Sequence, residues 1–179
     1  MAERIIMAGF GGQGVMSMGQ LLTYAGMLEG KNVSWLPSYG PEMRGGTSNC
    51  NVIISDAPVG SPIVTSATTV IALNRPSLDK FEATLEPGGF LFINSSLVDR
   101  RVERDDIRVF YIPANEIAQE LGNIRVANSV VLGVYLRAVS NIKSESVIEA
   151  LKSVLGPSKQ ELVPINEQAM KRGAALLEG

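Results

Sequence analysis

A chain of 179 residues, 45% apolar and 19% charged, is long enough to bury one substantial core. Its 16 Lys and Arg against 18 acids leave a formal charge of -2, which gives no electrostatic reason to bind nucleic acid or an anionic membrane. With no histidine and one cysteine, the commonest general base is missing, and an iron–sulfur cluster, disulfide or cysteine zinc site held by this chain alone is excluded. No catalytic residue and no metal site are therefore expected. No apolar run approaches the roughly 20 residues of a membrane span, and Met1-Ala2-Glu3-Arg4 leads straight into a strand without a signal-peptide layout, so a cytoplasmic location is expected.

Arg4 to Ala8 reads as a short buried strand. Gly9-Phe10-Gly11-Gly12-Gln13-Gly14 follows, and then Val15, Met18, Leu21, Leu22, Ala25 and Leu28 recur at helical spacing. Strand, glycine loop and helix make the first half of a βαβ unit, a turn that aims backbone N–H groups and a helix dipole at one spot. Gly9, Gly11 and Gly14 also satisfy G-x-G-x-x-G. The nicotinamide version of that motif wants an acid at the end of the second strand to hold a ribose. Glu29 comes too early for that role and Glu42 too late, so NAD binding is disfavoured. The plainer reading is that the glycines allow a tight turn and close helix–strand packing.

The first helix runs to about Glu29 and stops at Gly30. A second strand spans Asn32 to Pro37, followed by the glycine-rich stretch 38–47 with Glu42 and Arg44. If the first two strands are parallel neighbours, both glycine loops leave the sheet at the edge where open α/β folds build their sites. Glu42 and Arg44 are solvated loop charges or ligand-facing groups; the guanidinium fork of Arg44, framed by Met43 and Gly45-Gly46, suits a carboxylate or phosphate.

Period-two alternation from Asn49 to Ser55 marks a third strand, with too short a link for a crossover helix, so it is antiparallel or reaches the sheet from another edge. Cys50 within it is a small buried hydrophobe. Thr69 to Leu73 is a buried strand, Asn74 caps a helix from Pro76 to Leu85, and Pro87-Gly88-Gly89 turns into a strand at Phe90 to Ile93. Leu97 to Asp106 is charged and exposed, and Ile107 to Ile112 is the last strand. The remainder is helical: Ala114 to Leu121, Val126 to Val139, a helix capped by Ser144 through Leu155, and Ile165 to Leu177. Asn128, near the start of the second of these, is a first-turn cap or a ligand-facing group.

Three stretches carry a family resemblance: the Gly9 to Gly14 loop, Tyr39-Gly40-Pro41-Glu42-Met43-Arg44-Gly45-Gly46, and Asn128 with Leu132-Gly133. With these, nearly the whole chain resembles the gamma subunit of 2-oxoacid:ferredoxin oxidoreductases. The resemblance and the element order together imply a single α/β domain over residues 1–179, three-layered and Rossmann-like, with a central mixed sheet and a helical C-terminal part. It also implies a complex that oxidatively decarboxylates a 2-oxoacid to its acyl-CoA and passes electrons to ferredoxin. Thiamine diphosphate and iron–sulfur clusters are held by other subunits, none by this chain alone, and the isolated chain is expected to be inactive. Among substrates 2-oxoglutarate is slightly favoured over pyruvate and branched-chain acids, and indolepyruvate enzymes carry a related domain.

On this reading Gly9, Gly11, Gly12, Gln13, Gly14, Arg44 and Asn128 face coenzyme A or a partner. Tyr39, Gly40, Pro41, Glu42, Met43, Gly45 and Gly46 then form an interface with the catalytic subunits. Two alternatives stay open: a pure assembly subunit without a ligand, and a stand-alone nucleotide- or dinucleotide-binding module. An apolar face left by missing partners would let the isolated chain form a homodimer.

Overall fold

The computed structural model describes residues 1–38 and 47–179. The expected interface residues Tyr39, Gly40, Pro41, Glu42, Met43, Gly45 and Gly46, and the expected anion-facing Arg44, lie outside the described residues.

The elements in chain order are β1 (Ala2–Phe10), α1 (Val15–Leu28), β2 (Asn32–Ser38), β3 (Thr47–Ser55), β4 (Ala67–Ala72), α2 (Arg75–Phe81), β5 (Leu85–Asn94), β6 (Arg108–Ile112), α3 (Ala114–Glu120), α4 (Ala127–Val139), α5 (Ser144–Leu155) and α6 (Val163–Ala175). The strands form one sheet in the order β2-β3-β1-β4-β5-β6. β1, β4, β5 and β6 are parallel, while β3 runs antiparallel to both β1 and β2, so the sheet is mixed as expected.

One expectation is corrected. β1 and β2 are not neighbours, because β3 lies between them and pairs along its length with each, from Phe10↔Thr47 to Ala2↔Ser55 on one side and from Ser38↔Asn49 to Asn32↔Ser55 on the other. Antiparallel pairing needs no crossover helix, which is why so short a link suffices. Two antiparallel steps still leave β2 running in the direction of β1. Ser38 and Thr47, the residues that flank 39–46, therefore sit at the edge where β1 ends.

Alternation divides the core between the two faces. Ile5, Met7, Cys50, Val52, Ile71, Phe92 and Ile112 point to the face covered by α1 and α3 to α6. Ile6, Ile53, Val70, Leu91 and Ile93 point to the other, which is closed by Leu78 of α2 together with Val64, Leu85 and Val98. Helix ends differ from expectation at α2 and α5, and the last helix runs Val163–Ala175 rather than Ile165 to Leu177. α2 stops at Phe81 and gives way to a 3₁₀ turn, Glu82–Thr84, because Leu85 already pairs with Ala67 in the sheet. Ser144 is the first helical residue of α5 and makes no capping bond, whereas Asn74 caps α2 as expected, its Oδ1 accepting from the Ser77 N–H at 2.9 Å.

Cys50 is fully buried beneath α1, with the Trp35 indole beside it, and burial pushes its thiol up to about 12. A thiol whose folded value lies above its ordinary value stabilises the fold below pH ~9 and ceases to do so as pH rises toward 12. The native chain is therefore expected to give no reaction with a thiol reagent at pH 8, and one equivalent after denaturation. Full reaction without denaturant would contradict this burial.

α4 and α6 cross at a pair of glycines. A Cβ on Gly133 would lie 2.0 Å from the Met170 carbonyl oxygen, and one on Gly173 would lie 2.0 Å from that of Val130. Each helix thus lays its bare backbone on the other. The crossing is fixed further by the Ser129 hydroxyl, 2.6 Å from Asn166 Oδ1. This matters for function because the amino-terminal end of α4 reaches the glycine loop.

Candidate functional site

After β1 the chain leads to β2 and β3 on one side of the sheet, and after β4 it leads to β5 and β6 on the other. The carboxyl ends of β1 and β4 therefore bound the crevice in which open α/β sheets bind ligands. The glycine loop shapes its first wall. The Gln13 N–H donates to the Phe10 carbonyl at 3.2 Å, and the Phe10 N–H donates to Gln13 Oε1 at 2.5 Å, which locks the turn from both sides. Gln13 also bonds the Leu73 carbonyl and the Asn74 amide, each at 3.4 Å. Gln13, expected to face a ligand, thus uses its amide to tie the loop to the end of β4. Gly9 is buried at the end of β1, while Gly11 and Gly12 are exposed at the turn.

Gly14 opens α1 with φ +78°, a left-handed conformation that costs an ordinary residue about 1–2 kcal/mol. A Cβ there would also lie 2.3 Å from Asn128 Nδ2. The space is taken because Asn128 Nδ2 donates to the Gly14 carbonyl at 3.3 Å, and its Oδ1 accepts from the Ser129 N–H at 2.9 Å. Asn128 is the second residue of α4. It is not the helix cap: a 3₁₀ turn, Ile124–Val126, precedes the helix, capped by Asn123. Asn128 clamps the glycine loop and also lines the crevice.

The crevice measures about 160 Å³ and is lined by Gly12, Gln13, Leu73, Asn94, Asn115, Ile124, Arg125, Ala127 and Asn128. Asn94 is buried and donates to Asn115 Oδ1 at 3.0 Å, which continues the row of amides from the β1 edge to the β6 edge. Among the described residues no acid lines the crevice, and its one charged group, Arg125, is exposed and forms no ion pair there. α1 and α4 both begin at the crevice without a side-chain cap and without an acid in the first turn. The first N–H groups of α1 have no intrahelical acceptor and carry the positive end of its dipole, whereas on α4 the Ala127 N–H donates to the Ile124 carbonyl and the Ser129 N–H to Asn128 Oδ1. An anion is therefore the favoured occupant. At 160 Å³ the crevice is smaller than the roughly 300–1,000 Å³ of a whole-ligand pocket, so it suits one end of a larger molecule.

The structure thus brings Gly12, Gln13, Gly14 and Asn128 together from the expected set and adds Asn94, Asn115 and Arg125. In the sequence Arg125 is one charge in a polar turn and carries no pattern. Among the described residues no group of three or more His, Cys, Asp or Glu is placed to hold a metal ion, and no helix is long and apolar enough to cross a membrane.

Residues 4–176 match the family model described as pyruvate ferredoxin/flavodoxin oxidoreductase. The ketoisovalerate oxidoreductase subunit VorA of Methanothermobacter marburgensis is 40% identical over 172 residues, which are 96% of this chain but 36% of that relative. The chain thus spans about a third of that relative's length. The keto/oxoacid ferredoxin oxidoreductase gamma subunit of Geobacter sulfurreducens superposes with a TM-score of 0.80 at 30% identity, covering 96% of this chain and 95% of that one. The 2-oxoglutarate:ferredoxin oxidoreductase of Magnetococcus marinus, solved with 2-oxoglutarate, coenzyme A and succinyl-CoA bound, shares the fold with a TM-score of 0.88 at 23% identity, over 99% of this chain and 31% of that one. The matches run almost the full length of the α/β fold and its glycine loop, and by them the chain belongs to the pyruvate ferredoxin/flavodoxin oxidoreductase family, as one of its gamma-type chains.

Proposed function

We propose that this chain is the gamma part, a single domain over residues 1–179, of a cytoplasmic complex that oxidatively decarboxylates a 2-oxoacid to its acyl-CoA and passes the electrons to ferredoxin. Its crevice holds one phosphate-bearing end of coenzyme A. The observation that carries this reading is the uncapped start of α1 and the exposed Arg125 at a crevice that no acid lines among the described residues, in a chain of this family. One cysteine and no histidine do not fit a cluster or metal centre, so thiamine diphosphate and iron–sulfur clusters belong to the partner subunits. Those groups supply the decarboxylation and the electron relay. This chain binds and orients: Asn128 fixes the glycine loop, the first-turn amides of α1 and Arg125 attract the anion, and Arg44 adds a second guanidinium.

The substrate lies with the partner subunits. The expected slight preference for 2-oxoglutarate is supported by none of the described residues, and the VorA relative is a ketoisovalerate oxidoreductase subunit. Co-expression with the catalytic subunits, followed by 2-oxoacid- and coenzyme A-dependent reduction of ferredoxin with 2-oxoglutarate, pyruvate and ketoisovalerate, tests the reading and names the acid. The chain alone is expected to be inactive. Arg44→Ala is expected to raise the KM for coenzyme A or weaken assembly, with the thiamine step intact in any complex that forms. Wild-type kinetics and assembly in that variant would remove Arg44 from the site.

A pure assembly role is the alternative, favoured by the bonds that Gln13 makes within its own protein. Coenzyme A titration of the wild-type complex and of complexes with the crevice residues changed separates the two: an assembly subunit leaves the affinity untouched. Titration of the isolated chain with NAD(H) and ATP tests the stand-alone module, for which no binding is expected.

A further inference from the structure

α1 lies on the outside of the molecule without a single charged residue in its fourteen, VMSMGQLLTYAGML. A surface helix ordinarily turns charge toward water, as α5 does with Glu149 and Lys152. On α1 the exposed positions are instead Ser17, Tyr24, Met27 and Leu28, the last three of them 45%, 56% and 53% exposed. Val154 of α5 faces Tyr24 across a groove of about 380 Å³ that Gln20, Thr23 and Trp35 also line. A second groove, of about 270 Å³, continues from Val154 along α1 to Gly12 and Gly14 of the loop. Exposed large apolar groups grouped on an uncharged helix mark an interaction surface.

We infer that this outer face of α1, with Val154, seats the chain on a neighbouring catalytic subunit through an apolar, uncharged patch of that subunit. The occupant is the polypeptide corresponding to what the VorA relative carries beyond this domain. That relative continues for about two thirds of its length outside the matched region, so there the domain is joined to further protein. The groove's run to Gly12 and Gly14 brings the seated subunit to the rim of the crevice. A second copy of this chain fits less well. The strand beside the patch, β2, is the sheet edge, and it carries Pro37, a residue that disfavours pairing with a further strand. The inference rests on the functional reading above, in that it requires the complex.

The test uses the complex co-expressed with its catalytic subunits. Met27→Lys and Leu28→Glu are expected to leave the unfolding midpoint of the isolated chain unchanged, because both side chains are exposed, and to lower the yield of complex at least tenfold. Asp105→Lys, an exposed change elsewhere, should assemble as the wild type does. In wild-type protein, peroxide oxidation of Met27 should be at least fivefold slower in the complex than in the isolated chain. Normal assembly of both variants, or equal oxidation of Met27, overturns the inference. So does an isolated homodimer in which Met27 is already protected, which would make a second copy the occupant. A complex that assembles through α1 yet handles coenzyme A normally after crevice substitutions overturns the coenzyme A reading alone; a wild-type chain that joins no complex overturns both.

Discussion

Gly133→Ala is expected to destabilise the isolated chain by about 3 kcal/mol, near the upper end for overpacking a tight core. Helix propensity alone predicts the opposite sign, since alanine favours a helix over glycine by roughly 1 kcal/mol. The clash decides. The added methyl would lie 2.0 Å from the Met170 carbonyl oxygen and 2.7 Å from the Met170 Cα and carbonyl carbon, all of them backbone atoms that cannot rotate away. α6 must lift off α4, which opens the core around Val130, Val134 and Met170. A fall of roughly 6–12 °C in the unfolding midpoint would accompany this in a domain of such size. Gly60→Ala is the control: no heavy atom lies within 4 Å of its Cβ position, so its change should stay within about 0.5 kcal/mol. Urea denaturation of the three proteins checks the result. A Gly133→Ala chain as stable as wild type, or more so, would show that the two helices do not meet backbone to backbone.

Arg125→Gln in the assembled complex is expected to raise the KM for coenzyme A about tenfold. A charge-assisted hydrogen bond contributes about 1.5–3 kcal/mol, and an exposed guanidinium belongs at the lower end, about one factor of ten. The decarboxylation half-reaction, measured as a single turnover of 2-oxoacid without coenzyme A, should be unchanged, because the Arg125 side chain forms no ion pair among the described residues and its backbone N–H bonds within its own turn. Wild-type KM should rise with ionic strength, and that slope should flatten in the variant. Arg125→Lys should fall between the two, keeping the charge without the fork. An unchanged KM and salt response in a well-assembled Arg125→Gln complex would take Arg125 out of the site.

Much of the fold could be read from residues close in sequence. The apolar strand, Gly9 to Gly14 and the spacing from Val15 to Leu28 fixed β1, the loop and α1 because each signal is local, and the same holds for Asn74 at the start of α2. What escaped was relational. Alternation marks Asn49 to Ser55 as a strand, but period two says nothing about neighbours, so the insertion of β3 between β1 and β2 could not be read from it. Gly133 was legible as part of a motif and Gly173 as nothing, since their meeting joins helices 40 positions apart, Gly133 to Gly173. At the crevice, Asn128 was legible as special but its partner Gly14 was not, because a carbonyl 114 residues away leaves no trace in sequence. Arg125 was invisible for a different reason: a cation in a polar turn looks the same whether it meets water or a phosphate.

The glycine crossing also sets an order of events during synthesis. Asn128 and Arg125 stand at the head of α4, and the face of α4 that holds Gly133 finds its packing partner in α6, which ends at Ala175. Until the ribosome has released the chain past that point, the face of α4 that holds Gly133 stays bare and the clamp on the glycine loop lacks its support. The sheet and α1, made first, can form while translation continues. The crevice is therefore completed late, and nascent chains halted before α6 would carry a ready-made α1 beside an unfinished anion site.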